Sequence, residues 1–133
     1  MKKTNIKTDE LTIEQKILEC KKVAGSFRYF LDNYVYIEDK EAHTAIKLKL
    51  WPEQERIVSL ITDSNLLIAL KARQLGITWL YAAYCDWLLL VNQLYLIVVI
   101  STTEELSIEF LERIYFIHDR LPLWLKPRTK SRT

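Results

Sequence analysis

Residues 66–84 read LLIALKARQLGITWLYAAY, and this stretch decides the fold that the sequence predicts. The apolar run from Leu66 to Leu70 indicates a buried strand, because continuous apolar character is typical of strands covered on both faces. A short loop with one glycine, Gly76, follows, and a largely apolar run of helical length begins at Ile77. The order strand, loop, helix is a setting in which proteins bind phosphate at a helix N-terminus.

The loop departs from the phosphate-binding pattern G-x-x-x-x-G-K-[ST] at two positions. Lys71 stands where the pattern has its first glycine, and Ile77 stands where it has its lysine. Gly76 and Thr78 match the second glycine and the Ser or Thr that contacts Mg²⁺. The long side chain of Lys71 could reach across the loop from the strand end, and Arg73 offers a second cation. A plain strand-to-helix turn with two surface cations is the alternative.

The rest of the second half continues this alternation. YLIVVI, from Tyr95 to Ile100, predicts a second buried strand, because β-branched residues favour strands. Three helices are predicted around the strands: one over 52–62, one over 77–91, and one from a capping box of Thr102 and Glu105 to Arg120. Strand, helix, strand, helix predicts a parallel α/β unit with a right-handed crossover. Two strands are too few for such a sheet, so we expect this chain to be the opening part of a larger domain, or else to associate through exposed apolar surface.

The first half predicts a different kind of structure. A helix is expected over Thr12–Ala24 with a capping box of Thr12 and Gln15, and a second over Ser26–Tyr34. The stretch over 34–50 is expected to be extended or irregular. Trp51-Pro52 begins the helix that precedes the first strand. We therefore predict a helical and irregular lead-in segment over 1–50 and, over 51–133, an incomplete α/β domain that contains the loop resembling a P-loop.

Composition alone excludes few classes of protein. A net charge of +2 is too small to indicate nucleic acid binding, and the basic ends of the chain are typical of solvated termini. Cys20 and Cys85 are far apart, so neither a disulfide framework nor a zinc site is indicated. His43 and His118 are isolated in the sequence, which argues against a metal role.

A membrane span is the main competing interpretation of the apolar second half. The stretch Trp79–Ile100 is long enough to cross a bilayer and contains few strongly polar residues. Asp86 near its middle would cost about 2.5–3.5 kcal/mol on an insertion scale. The β-branched run that ends the stretch suits a buried strand better than a membrane helix, so we predict no membrane association.

The sequence resembles the large subunits of terminases, the ATPases that package DNA into the heads of tailed phages. LIALKARQLGITWL resembles their Walker A region, in which the lysine is commonly shifted to the start of the loop. LWPEQERIV upstream, FRYFLDNYVYIEDKE before it, and YLIVVISTTEELSIEFLERIYFIHDRLPLWLKP downstream resemble other segments of the family in the same order. The resemblance extends from about Phe27 to Pro127 and implies an α/β fold: a partial P-loop NTPase sheet of the ASCE type, parallel, with flanking helices and preceded by an N-terminal helical segment.

The resemblance implies ATP and Mg²⁺ as ligands. Lys71 would be the phosphate-binding lysine, Thr78 the Mg²⁺ ligand, and Arg73 the catalytic arginine that senses or stabilises the γ-phosphate. The cradle around the phosphates would be formed by the loop residues Ala72, Arg73, Gln74, Leu75, Gly76, Ile77 and Thr78. Gln54 corresponds to the glutamine that recognises adenine in the family. For the neighbouring Trp51 we favour plain packing over stacking on the adenine.

The partners implied by the resemblance are those of a DNA-packaging motor. In the family, the full-length large subunit acts on double-stranded viral DNA with a small terminase subunit. It forms an oligomeric ring on the portal protein of the procapsid, in the cytoplasm of the host cell. These partners are expectations that the resemblance carries.

The sequence also departs from the family. No apolar strand ends in Asp-Glu, the Walker B pair that would hold Mg²⁺ and position the attacking water, and no acidic nuclease cluster is present. Hydrolysis by this chain alone is therefore not expected, because phosphoryl transfer depends on metal and nucleophile positioning. We expect a truncated N-terminal part of the motor. Another P-loop translocase or helicase, and a non-catalytic remnant that acts only by binding a partner, are the alternatives.

Overall fold

The computed structural model describes residues 10–70 and 76–127. The elements in these ranges are α1 (Ile13–Gly25), α2 (Phe27–Tyr34), β1 (Tyr36–Asp39), β2 (Thr44–Lys47), α3 (Pro52–Asp63), α4 (Ile77–Val91) and α5 (Glu104–Asp119). Each helix predicted from the sequence is present close to its predicted bounds. The strands differ from the prediction in both position and pairing.

Hydroxyl caps fix the starts of the first two helices. The Thr12 Oγ1 atom accepts from the Gln15 amide at 3.3 Å, and the Gln15 Oε1 atom accepts from the Thr12 amide at 2.9 Å, so the predicted capping box is confirmed. Ser26 follows the end of α1 and caps α2, because its Oγ atom accepts from the Tyr29 amide at 3.1 Å. Each cap satisfies a backbone donor that has no partner within the helix.

The cap of the last helix lies one residue later than predicted. The Oγ1 atom of Thr103, and not that of Thr102, accepts from the Leu106 amide at 3.3 Å. The predicted capping box of Thr102 and Glu105 is therefore wrong. The helix ends as expected, with Arg120 as its C-cap.

A small hairpin occupies part of the stretch that the sequence left as extended or irregular. β1 and β2 pair antiparallel, with Tyr36 opposite Lys47 and Asp39 opposite Thr44. The Asp39 Oδ1 atom accepts from the Glu41 amide at 3.0 Å, which is the kind of local bond that favours a tight turn. The hairpin places Ile46 opposite Ile37, and the Leu48 amide after it donates to the Val35 carbonyl at 3.1 Å.

The predicted parallel α/β sheet is wrong. In the described ranges the sheet present is the two-stranded antiparallel hairpin, and neither Leu66–Leu70 nor Tyr95–Ile100 is a strand. We call these two stretches the apolar segments. Their side chains are largely exposed, with Leu70 at 98% and Leu96 at 85%. The physical reason is that a strand, unlike a helix, needs a neighbouring chain to satisfy its amides and carbonyls. The apolar pattern identified segments that favour a sheet, but it could not supply their partners.

The apolar core joins helices from both sides of the predicted boundary at residue 50. It includes Val23, Phe27, Phe30, Leu31, Tyr34, Val35, Leu48, Val58, Leu80, Ala82, Ala83, Ile114, Ile117 and Leu121. Helix α4 contacts both α2 and α5. The Trp87 indole Nε1–H also donates to the Val23 carbonyl at 2.7 Å, which ties α4 to the end of α1. The division at residue 50 stays a prediction.

A buried carboxylate connects the first two helices. The Tyr29 and Tyr34 hydroxyls both donate to the Glu19 Oε2 atom at 2.7 Å, and the Lys22 Nζ atom donates to its Oε1 atom at 3.1 Å. Burial alone would raise the pKa of Glu19, but these hydrogen bonds and the Lys22 charge outweigh it and lower the pKa. Because both oxygens have donors, this polar cluster is compatible with its place beside the core.

The membrane interpretation has no support in the helices that the structure describes. None of them combines the length and apolar character needed to cross a bilayer. The apolar stretch 79–100 is divided, since α4 ends at Val91 and the following residues leave the helix.

Candidate functional site

The N-terminus of α4 starts at a glycine in the left-handed backbone region. Gly76 has φ +67° and ψ 8° and is the N-cap of the helix. The first-turn amides of an α-helix have no carbonyl partner within the helix, and with the helix dipole they favour a bound anion. Ile77 is buried at 3% exposure and anchors the first turn, as the sequence predicted, while Thr78 is partly exposed in the same turn.

Gln54 lies beside this glycine. Its side chain is buried, and its Oε1 atom accepts from the Trp51 amide at 3.1 Å at the start of α3. A β-carbon at position 76 would lie 2.8 Å from the Gln54 Nε2 atom, a distance too short for an ordinary contact. The left-handed backbone at position 76 favours glycine, and a β-carbon there would also force the end of the Gln54 side chain to move.

A cavity of about 610 Å³ opens beside Gly76. Its volume lies in the range of small-molecule sites, which is roughly 300–1,000 Å³. The residues that line it are Ile37, Ile46, Lys47, Leu48, Lys49, Trp51, Gln54 and Gly76. Among the described residues, this lining is largely apolar and includes two lysines and no carboxylate. The cavity thus combines an apolar wall, positive charge and a helix N-terminus.

The structure brings together part of the predicted nucleotide site. Gln54 and Gly76 line one cavity, and Ile77 and Thr78 follow directly in the first turn of α4. The other predicted loop residues, Lys71, Ala72, Arg73, Gln74 and Leu75, lie outside the described residues. The predicted roles of those five residues stay predictions.

Trp51 does not behave as a packing residue. Its side chain is 57% exposed and lines the cavity, at the N-cap of α3. Plain packing, which the sequence favoured for this residue, does not account for that exposure. A tryptophan that leaves more than half of its surface uncovered beside a cavity has a flat apolar face available to a ligand.

The two cavity lysines were missed by the sequence analysis. Lys47 ends β2 and Lys49 follows two residues later, but Gly76, which shares their cavity, is distant in the sequence. The available signal was the sequence KLKL over 47–50, in which lysines alternate with leucines. Leu48 is buried in the core, so the alternation places the lysines on the other face. Only the hairpin pairing shows which cavity they line.

A second buried polar pair joins α4 to α5. Asp86 is 2% exposed, and its Oδ1 atom lies 2.9 Å from the His118 Nδ1 atom. Burial raises the pKa of Asp86, and the His118 hydrogen bond only partly opposes that shift. The available signal was a charged residue in an otherwise apolar helix, because a buried carboxylate needs a partner. The Asp86 Oδ2 atom has no hydrogen-bond partner among the described residues. Neither Asp86 nor His118 lines the cavity beside Gly76.

Other reactive side chains point to no alternative chemistry. Burial raises the pKa of the Cys85 thiol to about 11, so the thiolate needed for nucleophilic chemistry is scarce near neutral pH. Within residues 10–70 and 76–127, no three His, Cys, Asp or Glu side chains come together to hold a metal ion.

The sequence matches no protein-family model and no curated protein.

Proposed function

We propose that this chain binds ATP at the N-terminus of α4, as the nucleotide-binding part of a DNA-packaging motor of the large terminase type. One observation carries the proposal. Gly76, the N-cap of α4, lies in the left-handed region against Gln54 and lines a cavity whose described residues include two lysines and no carboxylate. Such an arrangement suits an anion that also carries a flat apolar group.

The residues present fit a nucleotide with its magnesium ion. The missing β-carbon at Gly76 makes room for the Gln54 side chain, and Thr78, which is partly exposed, carries the proposed Mg²⁺-binding hydroxyl. Lys71 is the proposed phosphate-binding lysine and Arg73 the γ-phosphate arginine, both on the strength of the resemblance. Bound ATP would supply the phosphoryl group that a packaging motor consumes.

We propose that this chain binds the nucleotide without hydrolysing it. The sequence contains no apolar strand that ends in Asp-Glu, and hydrolysis depends on carboxylates that position metal and water. Double-stranded viral DNA, the portal protein and the small terminase subunit are the proposed partners of the assembled motor, at the procapsid in the host cytoplasm. These partners rest on the resemblance alone.

The proposal is tested by the thermal stability of the chain with and without Mg²⁺-ATP. A ligand that binds only the folded state raises the free energy of unfolding by about 2.7 kcal/mol at one hundred times its dissociation constant. We expect a clear ATP-dependent increase in melting temperature for wild type, and none for Lys71→Ala. Lys21→Ala, which removes an exposed lysine from α1, is the matched control and should keep the full increase.

The variant Ile77→Ala tests whether position 77, where the standard pattern has its lysine, contributes to ATP binding. It should lower the melting temperature without ligand, because Ile77 is buried, and still retain the ATP-dependent increase. Equal increases in wild type and Lys71→Ala would refute the role of Lys71.

A remnant that binds a partner protein is the second candidate. It is favoured by the exposure of the apolar segments, in which Ile68 is 81% and Ile100 88% exposed. Exposed apolar patches of this kind mark interaction sites in other proteins. Absence of any effect of ATP on wild type would favour this candidate. A helicase would in addition unwind duplex DNA in the presence of ATP.

A further inference from the structure

The cavity beside Gly76 has a second wall, formed by the hairpin and the residues after it. Ile46, Lys47, Leu48 and Lys49 contribute this wall, and Trp51 stands where the chain enters α3. The proposed phosphate-binding loop gives these residues no role. Their chemistry therefore bears on which anion the cavity accepts.

The position of Trp51 is fixed by its backbone. Its amide donates to the Gln54 Oε1 atom at 3.1 Å, and Pro52 occupies the first position of α3. A proline at this position has its φ angle preset for the helix. The indole thus projects from an anchored point, while 57% of its surface stays exposed at the cavity. An exposed aromatic face beside a cavity can stack on a planar ligand.

The lysines make the cavity attractive to an anion. Among the described residues, neither Lys47 nor Lys49 forms an ion pair with a carboxylate. With no acid in the lining, their charge is not neutralised inside the cavity. Positive charge concentrated in a cleft raises the local concentration of an anionic ligand.

We infer that the hairpin belongs to the nucleotide site, with Trp51 stacking on the base and Lys47 and Lys49 attracting the phosphates. This inference rests on the proposed function, because it requires a nucleotide at the N-terminus of α4. It assigns the ligand class as an aromatic nucleoside triphosphate in preference to an inorganic polyphosphate. Trp51 is a specificity residue, since it contributes only when the ligand carries a base.

The test compares ATP with inorganic tripolyphosphate, both with Mg²⁺, by titration calorimetry on the full chain. Wild type should bind ATP more tightly than tripolyphosphate. Trp51→Ala should weaken ATP binding roughly tenfold, the size of one aromatic stacking contact, and leave tripolyphosphate binding unchanged. Trp51→Phe should restore most of the ATP affinity, because it keeps an aromatic face. Lys47→Ala with Lys49→Ala should weaken both ligands, and more strongly at low salt.

The outcomes separate the inference from the proposed function. If wild type binds neither ligand, the proposed function fails and the inference fails with it. If both ligands bind wild type and Trp51→Ala binds ATP as tightly as wild type does, the phosphate site stands and the stacking role of Trp51 is refuted. If Trp51→Ala weakens ATP and tripolyphosphate equally, the residue supports the fold of the site and does not recognise a base. A circular dichroism melt of each variant checks that it is folded.

Discussion

The helical framework and the two apolar segments are built from the same kinds of residue and lie in opposite environments. Leu31 in α2 is fully buried, whereas Leu70 and Leu96 in the apolar segments are 98% and 85% exposed. A helix satisfies its backbone hydrogen bonds internally, so an apolar stripe is enough to dock it. A strand must find a neighbour first. The comparison shows that hydrophobicity predicts a tendency to be buried, while the backbone decides whether a segment can be buried alone.

The largest expected effect comes from truncating the same residue type in each region. Leu31→Ala should lower the free energy of unfolding by about 2–5 kcal/mol, because it leaves a cavity in the core. Leu96→Ala should change it by less than about 0.5 kcal/mol, since its side chain is already in solvent. Urea denaturation of both variants measures the difference. A comparable loss in the two variants would mean that the segment around Leu96 is packed in solution.

The pair between α4 and α5 should show the next largest effect within the framework. His118→Ala should cost about 2 kcal/mol near neutral pH, because it removes the partner of the buried Asp86 carboxylate. Folding raises the pKa of Asp86, so the stability contributed by this group is complete below its ordinary value of 3.8 and is lost as pH rises through the folded pKa. The loss in His118→Ala should therefore shrink in acid. Adding Asp86→Asn should recover part of it at neutral pH, and a double variant no more stable than His118→Ala would contradict this account.

The Glu19 cluster should respond to pH in the opposite direction. Tyr34→Phe should cost about 1.5 kcal/mol near neutral pH, because it removes a buried hydroxyl that donates to the Glu19 carboxylate. The pKa of Glu19 is lowered, so its stabilisation is present above the ordinary value of 4.5 and is lost as pH falls through the folded pKa. Guanidinium denaturation at several pH values should show the Tyr34→Phe loss decreasing below about pH 4.5. A loss that does not change with pH would separate Tyr34 from the ionisation of Glu19.

The smallest effect on stability, and the clearest effect on association, is expected in the apolar segments. Leu96→Lys combined with Val98→Lys should change the free energy of unfolding by less than about 0.5 kcal/mol, because both side chains are largely exposed. It should reduce concentration-dependent association, since charges on an exposed strand-like stretch oppose pairing with another chain. Light scattering across a concentration series measures this, with Lys21→Ala as a surface control. Unchanged association would place the contact surface elsewhere.

Local signals explain how much of the fold the sequence could predict. The helices followed largely from their periodicity and, for α1, from the capping box of Thr12 and Gln15, and α4 has its predicted bounds. The one-residue error at Thr103 arose because two adjacent threonines offer the same cap. The hairpin was not predicted, because its strands are only four residues long and the turn over 40–43 has none of the Asn-Gly or Asp-Gly signals of a hairpin.

The residues of the candidate site were likewise predicted only in part. Gln54, Gly76 and Thr78 were identified from a motif order, and the structure places Gln54 against Gly76. Lys47 and Lys49 required the hairpin, and the exposure of Trp51 required the packing around α3. The partnership of Asp86 with His118 joins residues 32 positions apart, which no local pattern contains.

The most direct test of ATP binding at the N-terminus of α4 uses the two glycines of the chain. Gly76 caps α4 beside the cavity, and Gly25 ends α1. In an amide proton–nitrogen NMR titration with Mg²⁺-ATP, we predict that the Gly76 and Thr78 amides and the Trp51 indole signal shift progressively and saturate, while Gly25 stays in place. Saturating shifts at Gly25 with none at Gly76, or no shifts at all, would contradict nucleotide binding at this helix.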